Sequence, residues 1–331
     1  MYIFVVNKSG IKECLDHSIT PKITACYEQD SDSATKITHS KPKEKELTMN
    51  ILPIYKQIQI LNSLVEGNSI RSISRMLNVH AGAILRLLEI AGKKALDLHD
   101  RNVVNIKSNF IQIDEIWAYV QKKQKQIDLD QKWYGKSSDI GDQYTFVALD
   151  AETKLVTNYL TGKRSLENTY TFLRDLQQRV ITRFQLTSDS FKPYYHAVRR
   201  IFGNQIDYAQ LHKVYGEDYK EEKRYSPAEI KKTQIISLIG EPKLEHISTS
   251  YVERQNLTMR MNMRRFTRLT NAFSKKLDNL KYAVSLHFFH YNFMRIHKSL
   301  RATPAMVAGI TNTIWDWEDF LGVEKERKMA V

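Results

Sequence analysis

Phe110 to Val120 reads FIQIDEIWAYV, a run dominated by Ile, Val and aromatic side chains with no Gly or Pro, which predicts a β-strand. Asp114 stands in the middle of that strand among apolar neighbours. An ion there is costly without a partner, and a merely structural acid is found more often at a turn. Asp114 is therefore the acid most in need of a functional explanation. Side chains alternate along a strand, so the adjacent Glu115 is expected on the opposite face, partly exposed or in a supporting role.

Downstream of this strand, Gln143 to Asp150 (QYTFVALD) and Lys154 to Leu160 (KLVTNYL) predict a hairpin around residues 151–153, with the lysine-rich stretch 121–141 as a loop. Asp150 in the hairpin turn is read as structural. Ser165 to Val180 places Leu166, Tyr170, Leu173 and Leu176 on one helical face. A short strand, Phe184 to Thr187, then runs into Ser188-Asp189-Ser190, and Tyr194 to Phe202 is a further helix. Strand, hairpin, helix, strand, helix predicts an α/β fold with a mixed sheet, in the order of a ribonuclease H-like core. Residues 213–245 are polar and poorly patterned. Helical pattern returns near Ser250 and again from Phe273 to Met294.

Upstream, Ile54, Ile58, Leu61 and Val65 form a helical stripe ended by Gly67-Asn68, and Ser69 is placed to cap a second helix through Ile73 and Leu77. After a break at residues 78–80 the pattern resumes through Ile84, Leu87 and Leu88. Three short helices with a tight turn before the last outline a helix-turn-helix, with residues 81–91 as recognition helix. The organisation expected is a disordered or non-functional leader (1–48), a helix-turn-helix region (49–107), a catalytic domain (108–270) and a C-terminal helical extension (271–331). Because strong patterning begins at Met49, a translation start there is one reading of the leader.

Composition bounds the rest. The chain has 331 residues, 42% hydrophobic and 26% charged, ordinary values for a globular protein. No run approaches the ~20 apolar residues that span a bilayer, and the N-terminus lacks a secretory pattern, so no membrane association and a cytoplasmic location are expected. The two cysteines, Cys14 and Cys26, lie upstream of every motif, and no zinc site is expected. The net charge is +13, and residues 1–48 are balanced at seven basic and seven acidic, so the patterned part carries the excess. A polyanion such as DNA is the first partner to consider.

Asp189 follows a strand at its C-terminal end, where sites in α/β sheets gather, and Glu253 lies early in a helix; alone, either passes for an ordinary turn or surface residue. The motifs around them carry a resemblance. Gln112 to Trp117 (QIDEIW), Leu186 to Asp189 (LTSD), His246 to Asn256 (HISTSYVERQN) continuing to Arg268, and Tyr291 to His297 (YNFMRIH) with Thr303-Pro304-Ala305 resemble an insertion-sequence-1 type transposase of the DDE group. The resemblance covers about Ile51 to Phe320. It implies a ribonuclease H-like fold, with Asp114, Asp189 and Glu253 as catalytic acids holding two Mg²⁺ or Mn²⁺ ions, hydrolysis at the element's ends and strand transfer into target DNA.

Two departures from the family pattern stand out. Ser190 occupies the position after the second Asp where relatives often carry Gly, and the cysteine-rich zinc module of some relatives is missing. End recognition then falls to residues 51–92, with Arg71, Arg75 and Arg86 as DNA contacts. Arg254, Arg260, Arg264, Arg265 and Arg268 follow Glu253 with no acid between Arg254 and Lys276, a pattern that favours DNA over a self-paired surface. On a helix, Arg260 and Arg264 fall seven and eleven positions after Glu253 and so share its face, while Arg254, Arg265 and Arg268 extend the charge around the cylinder. Met259, Met261, Met263 and Phe266 are read as core, Trp315 and Trp317 as packing anchors. Asn256, Arg295 and His297 are candidate supporting residues. Bringing two DNA ends together implies a homodimer or larger complex on DNA. The competing readings are a metal nuclease of the same fold without strand transfer and an inert DNA-binding remnant.

Overall fold

The computed structural model describes residues 51–127, 139–215, 230–267 and 270–323. The expected leader and Arg268 lie outside the described residues. Three helices come first: α1 (Ile54–Val65), α2 (Ile70–Leu77) and α3 (Ala81–Asn102). Ser69 caps α2 by accepting from the Ser72 backbone N–H at 3.0 Å, and Asn78 closes it in the left-handed region at φ 49°. The third helix runs eleven residues beyond the expected end at residue 91. Its second half buries Ala95 and His99, and the helix packs on a later one, with Gly92 against Tyr282.

The sheet has six strands in the order β3-β2-β1-β4-β5-β6. These are β1 (Phe110–Val120), β2 (Gly141–Asp150), β3 (Val156–Gly162), β4 (Gln185–Ser188), β5 (Asp207–Tyr215) and β6 (Ile230–Ile239). The β1–β2, β2–β3 and β5–β6 pairs are antiparallel, whereas β1–β4 and β4–β5 are parallel. Helices α4 (Leu166–Arg179) and α5 (Lys192–Phe202) separate β3 from β4 and β4 from β5. Then follow α6 (Ser250–Asn262), α7 (Leu277–Phe289) leading into a π-helical turn (His290–Met294), and the short α8 (Pro304–Val307) and α9 (Trp317–Leu321). The expected α/β class, a mixed sheet flanked by helices behind a three-helix segment, is the one the chain adopts.

Register assigns the faces. Asp114 pairs with Val147, which pairs with Tyr159, and Tyr159 meets His99 of α3 and Phe288 of α7. Glu115 pairs with Phe146, whose ring meets Phe172 of α4. Helices α3, α6 and α7 thus cover one face and α4 the other. Asp150 is structural as expected: its Oδ1 accepts from the Glu152 and Thr153 backbone N–H groups at 2.7 and 3.1 Å and so forms the hairpin turn.

Two departures have local causes. The polar stretch expected to be unpatterned contains β6 and the last residues of β5, and β6 is an edge strand in which Lys231 to Ile235 are all exposed, so burial leaves no alternation there. The helix carrying Glu253 stops at Asn262: Met263 is extended (φ −125°, ψ 107°) and Arg264–Phe266 is a separate 3-10 turn. Met259, Met263 and Phe266 are core as read, but Met261 is 65% exposed. The described residues from 52 onward form one compact unit, and no helix among them is long and apolar enough to cross a membrane.

Candidate active site

The β1–β4 pairing ends at Ile113 and Ser188, so on that side β1 has no strand partner from Asp114 until Val120 bridges Ser274. Asp114 and Glu115 point to opposite faces of the sheet, yet both reach around the end of β4 towards Asp189. Carboxylate oxygens of Asp114, Glu115 and Asp189 all lie within 4.8 Å of one another. This is the crevice at the carboxyl ends of two parallel strands, the position where open α/β sheets place their ligands.

Each acid is held from a different element. Asn256 of α6 donates from Nδ2 to Asp114 Oδ2 at 2.8 Å. The Phe191 backbone N–H donates to Asp189 Oδ1 at 3.0 Å, a turn that leaves Oδ2 facing the cluster, 3.8 Å from Arg164 Nη2. Arg164 also donates from Nη2 to Glu115 Oε2 at 3.1 Å, while its guanidinium lies over the Phe191 ring at 3.9 Å. Glu115 Oε1 is buried with no hydrogen-bond partner, and the Glu115 side chain is 3% exposed. The opposite face is the expected one, and of the two readings, partly exposed or supporting, the covered side chain favours the supporting one, with Tyr194 of α5 against it.

Crowding shifts the titration of the cluster. Burial, then the Asp189 charge, then that of Glu253 push Asp114 up to about 7, against the opposing pull of backbone and Asn256 hydrogen bonds. Burial and Asp189 likewise push Glu115 up to about 7, with Tyr194 and Arg164 opposing. Three crowded carboxylates, one with an orphaned buried oxygen, fit a hard divalent cation, for which oxygen donors are the preferred ligands.

Glu253 is placed differently. Its carboxylate lies outside the 4.8 Å cluster. Oε1 is paired with Lys213 of β5 and accepts from Thr249 Oγ1 at 2.6 Å. Since Thr249 spends its hydroxyl on Glu253, the start of α6 takes its cap from β1: Gln112 Oε1 accepts from the Tyr251 and Val252 backbone N–H groups at 2.9 and 3.2 Å. Gln112 and Asn256 together fasten α6 over Asp114.

The basic candidates scatter. Arg71 and Arg75 on α2 and Arg86 on α3 are exposed, as are Arg254 and Arg264. The break at Met263 takes Arg264 off Glu253's helical face. Arg260 and Arg265 line a cavity of about 520 Å³ with Trp117 and Tyr119. Arg265 Nε donates to Ser274 Oγ at 2.9 Å, and burial lowers its pKa to about 10. Arg295 and His297 lie beyond the π-helical turn and line a second cavity with Arg254. Glu115, Arg164, Lys213 and Gln112 were not singled out by sequence as site residues. Glu115 and Gln112 sit inside the QIDEIW motif; nothing local marks Arg164 or Lys213.

No protein-family model and no curated protein matches the sequence. Among solved structures, the chain is similar to a piggyBac transposase synaptic complex with hairpin DNA, at 10% identity over 81% of this chain and 68% of that one, with a TM-score of 0.35. It is also similar to a Mos1 transposase paired-end complex with the left transposon end (14% identity, 46% and 58% covered, TM-score 0.18). A Mos1 strand transfer complex matches at 13% identity over 73% and 76% of the two chains, TM-score 0.19. Superpositions this loose leave the reading of the site to its own geometry.

Proposed function

We propose that the chain is a DNA transposase of the insertion-sequence-1 type, cutting phosphodiester bonds at its element's ends and joining them to target DNA. The observation that carries this reading is the convergence of Asp114, Glu115 and Asp189 at the end of β4, under a helix whose Asn256 holds Asp114. Asp114 and Asp189 would hold Mg²⁺ or Mn²⁺, with Glu253 as third acid and Glu115 beside them. Two such ions ~3.5–4 Å apart would supply charge neutralisation and activation of water or a 3′ hydroxyl.

The chain's own residues do the rest. Asn256 keeps one Asp114 oxygen fixed, so the other stays presented to the crevice. Arg164 offsets the charge of Glu115 and Asp189 while the site is without cations. Lys213 holds Glu253 aside; a phosphate arriving near Lys213 competes for that ammonium and frees the carboxylate. Arg71, Arg75 and Arg86 on the helix-turn-helix segment contact DNA outside the crevice, and two chains meet on paired ends.

A labelled element end incubated with plasmid target and Mg²⁺ tests this. Wild type is expected to yield cleaved and joined product, and Asp114→Asn neither, while binding the end as tightly. Cleavage without joining would make the protein a nuclease, and an unchanged Asp114→Asn would remove the reading altogether.

A further inference from the structure

The flank of α6 facing away from Glu253 borders a cavity of about 650 Å³, lined by Tyr251, Arg254, Gln255 and Thr258 of the helix together with Lys154, Arg295 and Lys298. The four helix residues are spaced i, i+3, i+4 and i+7, one continuous face. Among the described residues, four Lys and Arg line the cavity and no Asp or Glu does. Gln255, one of the lining residues, is 2% exposed, and its buried Nε2 finds no hydrogen-bond partner. A buried amide donor left without an acceptor costs stability, so its partner is expected from outside the chain. The Lys154 ammonium lies over the Tyr251 ring, 3.2 Å from its centroid, and covers one face of it, so a base stacking on that face displaces the ammonium.

We propose that this cavity holds one unpaired nucleotide of a DNA strand, its phosphate against Arg254, Arg295 and Lys298, its base against Tyr251 with an acceptor atom on Gln255 Nε2. Cations without acids select a phosphate, and an aromatic plate with one amide donor selects a base. The volume suits a single nucleotide and excludes the width of a duplex. Gln255 and Asn256 are adjacent, so the nucleotide and Asp114 are held by consecutive residues of one helix. The choice of DNA as the polyanion rests on the transposase reading.

The test uses the full chain without divalent cations, following the anisotropy of a fluorescein-labelled 12-nucleotide oligothymidylate and of a 12-base-pair duplex. Arg295 and Lys298 are exposed, so their Ala variants are expected to fold. Each is expected to weaken oligonucleotide binding about three- to tenfold and lower the slope of log K against log salt by about 0.7. Gln255→Leu is expected to weaken it about tenfold at unchanged slope, with duplex binding kept. Variants that bind the oligonucleotide like wild type overturn the proposal, as does its displacement by millimolar inorganic phosphate alone. Weakened variants alongside a failed joining assay would retire the transposase reading and keep the cavity; wild type binding neither DNA would remove both.

Discussion

At the level of single residues, the site is a set of acids that the fold holds under strain of charge. Asp114 and Glu115, each pushed up to about 7, keep protons in the folded chain that the unfolded chain releases near pH 4. The folded state then binds more protons between about pH 4 and pH 7, so these two groups make stability fall as pH rises through that window. In EDTA, the thermal midpoint of wild type is expected to drop from pH 5 to pH 7.5, and Asp114→Asn to drop less. Mg²⁺ at pH 7.5 should restore the wild-type midpoint and leave Asp114→Asn unmoved. A wild-type midpoint indifferent to Mg²⁺ would remove the cluster as a cation site. Of these residues Asp114 was legible from sequence, because a carboxylate inside an apolar strand contradicts its surroundings. Glu115 was legible only as far as its face, because alternation gives the face of a side chain and not what covers that face.

Elements decide how accurately the acids are presented. Helix α6 lacks a side-chain cap from Thr249, and Gln112, 2% exposed on β1, supplies it by accepting two backbone N–H groups. Gln112→Ala is expected to cost about 2 kcal/mol, the upper end for a lost cap, since the N–H groups it leaves are partly or fully buried. Urea unfolding measures that cost. Because the same helix carries Asn256, cleavage should fall about 10- to 100-fold under conditions where the variant is still folded, as when an outer partner of a metal ligand is removed. Full activity in a folded Gln112→Ala chain would separate the cap from the chemistry. The strands β1 to β4 were legible as apolar, β-branched runs bounded by turns, and helices α4 and α5 since each buries one face and so carries a period. Strand β6 and the end of α6 were not: an exposed edge imposes no alternation, and the extended Met263 follows no Gly or Pro that would mark a break.

Across the whole molecule, the three-helix segment and the sheet are joined through a packed seam rather than a linker. Helix α3 lies on α7, and at their crossing a Cβ on Gly92 would come within 2.3 Å of Tyr282 Cβ and 2.6 Å of its Cα. A second tie is Arg179 of α4, 8% exposed, which donates to Asp175 at 2.8 Å, to Asp100 of α3 at 2.5 Å and to the Val103 carbonyl at 3.0 Å. Neither tie across the seam could be read from the chain, because Gly92–Tyr282, Arg179–Asp100 and Arg179–Val103 each join residues more than 70 positions apart. If the seam is what makes the described residues from 52 onward one unit, full-length protein unfolds in urea as a single transition by both far-ultraviolet circular dichroism and tryptophan fluorescence. Gly92→Ala, forcing two helix backbones apart, should lower that transition by about 1–3 kcal/mol without splitting it. A fragment of residues 49–107 alone should lack a cooperative transition, since Leu87, Leu88, Ala91 and Ala95 would lose the surface that buries them. A fragment that unfolds cooperatively by itself would instead make the segment an independent DNA-binding domain, and Gly92→Ala would then be expected to uncouple it from the catalytic sheet.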